Sequence, residues 1–180
     1  MSISTQAPIR ATLDAIRHDA HAAAGFATGL SGAAGAALGQ AVLGISGVPS
    51  ARLAEIVPAL QILADDDIHA LDLLVRMRAL GRDEEGWEAL VASPLQMGDL
   101  ACEAAEILQA HRPQAAGRVR DDLEFSVVLL AAAARSALLI AESNLRQWRA
   151  PALHARFGPE SERLALRIAA LTPIERIAWR

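Results

Sequence analysis

The chain has no lysine, no tyrosine, a single cysteine and few aromatic residues, which make up only 3% of 180 residues. Each absence closes off a class of chemistry. Without lysine there is no amine nucleophile or Schiff-base former, and all 17 basic residues are arginine. The lone Cys102 excludes an internal disulfide framework and suits a reducing cytoplasm, where we expect the chain to reside. A net charge of −4, with no basic stripe interleaved with aromatics, argues against nucleic acid as a partner. No P-loop, dinucleotide fingerprint or nucleophile elbow occurs.

Charge is also missing locally. No formal charge lies between Asp19 and Arg52, and residues 22–46 read AAAGFATGLSGAAGAALGQAVLGIS. A run of this length admits two readings, a membrane span or a helix packed tightly inside a helical protein. Composition favours the second. Alanine and glycine are weakly lipophilic, and basic anchors and aromatic belts are missing from the ends. Nor does a basic region lead into a leucine-rich core, as a secretory signal requires. Gly25, Gly29, Gly32 and Gly39 recur along one face of a helix, which makes sense if another backbone approaches there. An alanine-rich, glycine-striped chain is also suited to burying surface against a copy of itself, so a homodimer without membrane contact is expected.

The rest reads as helix, because no stretch alternates with period two. Helices are expected at residues 8–20, 22–46 and 52–80, with Pro58 a kink or restart and Gly81 a C-cap. Ser93-Pro94-Leu95-Gln96 and Thr172-Pro173-Ile174-Glu175 read as capping boxes, starting helices at residues 93–110 and 174–179. The longest helix is expected at 118–149, with an uncharged, alanine-rich part at 125–134. A short one is expected at 160–171. The expectation is a single all-α domain over residues 1–180, a bundle around two buried alanine/glycine-rich helices.

The order of these pieces resembles the cyclodeaminase/cyclohydrolase family, strongest over residues 14–148. Gly25–Leu38, GFATGLSGAAGAAL, is similar to that family's small-residue helix, G-S-V-A-A-L-x-G-A-x-G-A-A-L. Asp66-Asp67-Ile68-His69-Ala70-Leu71-Asp72 is similar to its D-x-x-A-F-D. The segment from Pro94-Leu95 to Glu103 follows its P-L-x-x-A-x-x-A-x-E loosely. Asp121-Asp122, followed by Ser143-Asn144-Leu145, matches the spacing of its S-D and I-N-L landmarks. The resemblance implies action on the one-carbon unit bridging N5 and N10 of a reduced folate or tetrahydromethanopterin-type carrier, as cyclohydrolase or cyclodeaminase, with no further cofactor. Carried over from its motif, Asp122 is expected in catalysis, and His69, which shares a helix face with Asp65 and Asp72, is a candidate general base beside it. Gly25, Phe26, Asp66 and Asn144, within the segments that resemble the family, are expected around the substrate, as are Arg118 and Arg120, whose guanidinium groups suit a carboxylate tail. Phe26 and Asp121 stand where the family has serine, and its proline- and glycine-rich entry loop is absent. These departures support the alternative, a catalytically degenerate relative serving as a pterin-binding or helical assembly subunit.

The residues themselves leave room for both readings. Asp122, at a helix start, suits either a helix cap or a base held ionised by the helix dipole. Arg118 and Arg120 suit a carboxylate-bearing tail or an ordinary solvated surface. Asp65, His69 and Asp72 share one helix face, and His18 and His21 follow Asp14, but neither set is a complete metal site, so no metal is expected. Cys102 is read as inert core. Trp87, Trp148 and Trp179 are read as packing or interface anchors.

Overall fold

The computed structural model describes residues 5–18, 23–147 and 150–177, and every regular element among them is helical. The helices are α1 (Ile9–His18), α2 (Ala23–Ile45), α3 (Ala51–Ala79), α4 (Asp83–Ala110), α5 (Arg120–Gln147) and α6 (Pro151–Ala170). Two single 3-10 turns, Arg112–Gln114 and Gly117–Val119, link α4 to α5.

The chain ends of α2 and α3 follow from local chemistry. Ser50 Oγ accepts the Leu53 N–H at 3.3 Å and opens α3. At its far end Gly81 adopts φ +70°, a left-handed value that costs glycine little. There the Arg82 N–H donates to Met77 O at 2.8 Å and the Gly81 N–H to Arg78 O at 3.0 Å, closing a Schellman turn. The expected Gly81 cap is therefore present.

Helices α2 to α5 run alternately up and down as a four-helix bundle, each packed on its neighbours, with α2 and α5 closing the ring. The glycine face of α2 sets how near the others come. A Cβ at Gly29 would lie 3.1 Å from both Ala64 Cα and Leu60 O of α3, so two backbones do approach there. Gly32 faces Leu60 and Ala133, and Gly39 faces Leu108, so one stripe serves α3, α4 and α5. Leu43, Ile56, Leu60, Val91, Leu108, Leu123 and Leu130 fill the centre with 1% exposure or less. Each such side chain contributes about 1.5–3 kcal/mol by leaving water. Helix α6 lies in the groove between α4 and α5, parallel to α4, with Leu164 against Gly98 and Arg167 paired to Asp99 and Glu106.

Three boundaries differ from expectation. Helix α4 begins at Asp83 and runs through Ser93-Pro94 unbroken, so no capping box forms there. Ser93 Oγ is buried without a hydrogen-bond partner. Helix α6 runs through Gly158-Pro159, where the carbonyl that proline cannot pair belongs to Ala155, an exposed residue. Residues 174–177 are not helical, and 178–180 lie outside the described residues. Thr172 cannot cap a helix there because its N–H and hydroxyl meet Gln109 Oε1 at 2.6 and 2.9 Å. Its carbonyl and hydroxyl in turn accept from Arg112.

Neither alanine-rich helix is buried on all sides. Helix α2 and residues 117–147 are each long and apolar enough to cross a membrane, yet about half of the apolar stretch in each, 56% and 50%, is buried within the chain. Their outer sides are exposed, including Ala34, Ala37, Ala41 and Ile45 on α2 and Phe125, Val128, Leu129 and Leu139 on α5.

Candidate functional site

On α3, Leu53, Leu60, Asp67 and Leu74 recur at steps of seven and therefore share one face. The three leucines are buried at 0%, 1% and 5% exposure, so the register carries a carboxylate inward with them. Asp67 is half-buried and lies over the first turn of α2. A Cβ at Gly25 would sit 2.1 Å from one Asp67 oxygen and 2.4 Å from the other, so glycine is what leaves the carboxyl its place. Burial disfavours the charged form and pushes the Asp67 pKa up from 3.8 to about 6.

Asp67 lines a cleft of about 380 Å³, within the range of small-molecule sites. Ala24 and Gly25 form its floor, and Leu71 and Leu74 of α3 with Trp87 and Leu90 of α4 form its apolar walls. Helix α5 adds Ile140 and the polar groups of Ser143, Asn144 and Gln147. Among the described residues, Asp67 is the only titratable side chain that lines the cleft. The cleft thus presents one carboxyl near neutrality, an aromatic edge and several neutral polar groups.

Asn144 ties two walls of the cleft together. Pro94 has no N–H, so it cannot bond the carbonyl four residues back, which belongs to Leu90. Asn144 Nδ2 donates to that Leu90 oxygen at 2.7 Å. A side chain from α5 thereby satisfies the carbonyl that a proline freed in α4. Asn144→Leu should lower stability by about 1–2 kcal/mol, because a partly buried acceptor loses its partner. In a Pro94→Ala background, where the helix supplies its own donor, the loss should shrink; urea denaturation of the four proteins of this cycle measures it.

The residues expected around a substrate do not meet in one place within the chain. Gly25 and Asn144 line the cleft. Phe26 is fully buried against Ala64, Ile16, Leu30 and Ile68, so it is a core residue rather than a ligand contact. Asp66 and His69 are exposed, and neither lines the cleft. Asp122 is half-buried in the first turn of α5, with Arg118 and Arg120 exposed beside it. Asp122 and Asn144 are 22 residues apart on α5, about 33 Å along the helix at 1.5 Å per residue. Asp122 and the cleft therefore occupy opposite ends of the bundle. Glu124 pairs with Arg112, at 2.8 Å, rather than with Arg118 or Arg120.

The other polar candidates have structural partners. Asp65 accepts from the Thr5 N–H and hydroxyl, both at 2.8 Å, and tethers the segment before α1. No group of three His, Cys, Asp or Glu side chains is arranged to hold a metal among the described residues, and His21 lies outside them. Cys102 is buried, and burial pushes its thiol up to about 11, well away from a reactive thiolate. Trp87 packs against the core, as expected of an anchor, and also lines the cleft, while Trp148 and Trp179 lie outside the described residues.

Asp67 was not assigned a role from the sequence, where it is one acid among Asp65, Asp66, Asp67 and Asp72. The signal that singles it out is its place in the leucine register. No protein-family model matches the chain, and no curated protein matches it significantly.

Proposed function

We propose that the chain is a soluble, cytoplasmic, single-domain protein of one-carbon metabolism. Its cleft takes the pterin end of a reduced folate or tetrahydromethanopterin-type carrier, and Asp67 acts on the N5–N10 bridge. The observation that carries this reading is a half-buried carboxyl, pushed up to about 6 by desolvation, in a cleft that Trp87 also lines. Such a group holds both of its protonation states accessible near neutral pH, as acid–base catalysis requires. Its negative form also favours a cationic methenyl bridge beside it.

The chemistry is simple to balance. Water attacks the bridge carbon and gives one proton to Asp67. The intermediate collapses to a formyl carbonyl as one C–N bond breaks. The released nitrogen takes the proton from Asp67, and the hydroxyl proton leaves to solvent. Leu71, Leu74 and Leu90 exclude bulk water from the carboxyl and keep its affinity for protons high. Asp122, His69, Arg118 and Arg120 do not line the cleft within their own chain, so the step proposed rests on Asp67. Their remoteness favours a second reading, in which the chain binds the carrier without turning it over.

Purified protein should hasten the loss of methenyltetrahydrofolate absorbance, with a rate that rises as a group of pKa near 6 ionises. Saturable quenching of tryptophan fluorescence by a reduced pterin, without turnover, supports the binding reading. If neither folate nor methanopterin carriers quench fluorescence or lose absorbance, both readings fail.

A further inference from the structure

Helices α2 and α5 lie side by side and antiparallel, joined by Gly32 on Ala133 and Gly35 on Leu129 and Leu130. Their outer sides merge into one face. Helix α2 brings Ser31, Ala34, Ala37, Ala41 and Ile45. Helix α5 brings Phe125 at 49%, Val128 and Leu129 at 41%, and Leu139 at 60% exposure, with Ala132 and Ser136 between them. No formal charge stands on any of these positions. Two helix widths of about 10 Å each, over about 30 Å of length, give a face of about 600 Å² before side-chain relief is added. That is at the upper end of the largest apolar patch a monomer ordinarily exposes. It approaches the roughly 800 Å² that each partner buries in a stable complex.

We infer that this face binds a second copy of the chain, so that α2 and α5 of two protomers form a four-helix layer about a two-fold axis. Three features select a copy over other occupants. Small residues at the centre, Ala34, Ala41, Ala132 and Ser136, let a second pair of helices approach closely, while the larger Phe125 and Leu139 stand toward the two ends of α5. Asp121 and Arg146 close the two ends of the α5 stripe, in line with Leu139 and Val128, and Arg135 and Glu142 stand along its edge, so the charges around the stripe mix signs. An axis near Ala132 runs α5 antiparallel to its mate, turning the Asp121 end of one copy toward the Arg146 end of the other. A two-fold interface needs this self-complementary arrangement. The face also runs into the cleft, since Ser143 follows Leu139 by one helical turn and Ala24 precedes Ser31 on α2. A second copy would therefore stand beside the cleft, whatever the cleft binds.

Sedimentation equilibrium at micromolar concentration tests this. The unaltered chain should sediment at twice the chain mass. Ala34→Glu and Leu139→Glu, each on the face, should sediment at the chain mass with unchanged helical circular dichroism, a weakening of self-association of at least about a hundredfold from burying unpaired charge. Leu166→Glu, which puts a charge at an exposed leucine of α6 (74%) away from the face, should stay at twice the mass. An unaltered chain at the single mass overturns the inference. So does a double variant Ala34→Glu/Leu139→Glu that remains folded and paired, or an unaltered chain that floats with phosphatidylcholine vesicles as a single copy while Leu139→Glu does not.

Discussion

Gly29→Val should cost about 3 kcal/mol of stability, a large effect for one buried contact between two helices. Even the first added carbon would lie 2.7 Å from Ala64 Cβ, with Ala64 Cα and Leu60 O both at 3.1 Å. Two of these three atoms are backbone, so neither can rotate away, and α2 must separate from α3 to admit the group. Separation would then loosen contacts made by Leu60, which is 1% exposed and also faces Gly32. Alanine at the same position should cost less, about 1 kcal/mol, because better helix propensity offsets part of the clash. Gly44 supplies the contrast. A Cβ there meets nothing within 4 Å, so Gly44→Ala should stabilise by about 0.5–1 kcal/mol. Thermal unfolding separates them: at about 2–4 °C per kcal/mol for a chain of this size, Gly29→Val should melt roughly 10 °C lower and Gly44→Ala slightly higher. A Gly29→Val protein as stable as the parent would mean that α2 and α3 do not approach as closely as described.

What the sequence made legible, and what it hid, divides along the range of the interactions. The α3 boundaries rest on residues near in sequence, Ser50 with Leu53 and Gly81 with its preceding turn, and these were readable. The glycine stripe was readable too, because one helix face must serve one kind of contact. Pro94 was misread as a helix start because the partner that lets it sit inside α4 is Asn144, 54 residues away, on the Leu90 carbonyl. Thr172 was misread for the same reason, since Gln109 and Arg112 consume the groups that would have capped a helix. Within the site, Gly25 and Asn144 were reached by resemblance and do line the cleft, whereas Phe26 is turned into the core and Asp122 lies at the far end. Asp67 was hidden by its neighbours: four acids in eight residues look like a solvated turn until the leucine spacing is laid over them.

Asp67→Asn should make the folded chain more stable and the proposed reaction at least about a hundredfold slower, since an amide cannot take the proton from water. The stability gain follows from the sign of the shift. Below about pH 4 the carboxyl is protonated in both the folded and unfolded chain, and its burial costs little. Between 3.8 and about 6 the unfolded chain releases the proton while the folded chain keeps it, so stability falls as pH rises. Above about 6 both are ionised, and the folded state bears the full cost of a desolvated charge. Two pH units convert to a ceiling of about 3 kcal/mol, and partial exposure of the group reduces the expected gain to about 1–2 kcal/mol. Among the described residues no other titratable side chain lines the cleft, and the substitution changes Asp67 alone, so the pH-dependent difference between parent and variant reports on that carboxyl. Urea denaturation of parent and variant at pH 4 and pH 8 isolates it, because every other carboxylate titrates equally in both proteins. The two should match at pH 4 and diverge at pH 8 in favour of asparagine. A gap that is the same at both pH values would return Asp67 to an ordinary surface acid, and with it the carboxyl on which acid–base chemistry in the cleft depends. Gly25→Ala checks the cause from the other side. The added methyl displaces the carboxyl toward solvent, where it should titrate as an ordinary aspartate, so the alanine variant should lose the pH-dependent cost while keeping the acid. Its activity should then fall through the lost desolvation, to a level between those of the parent and Asp67→Asn.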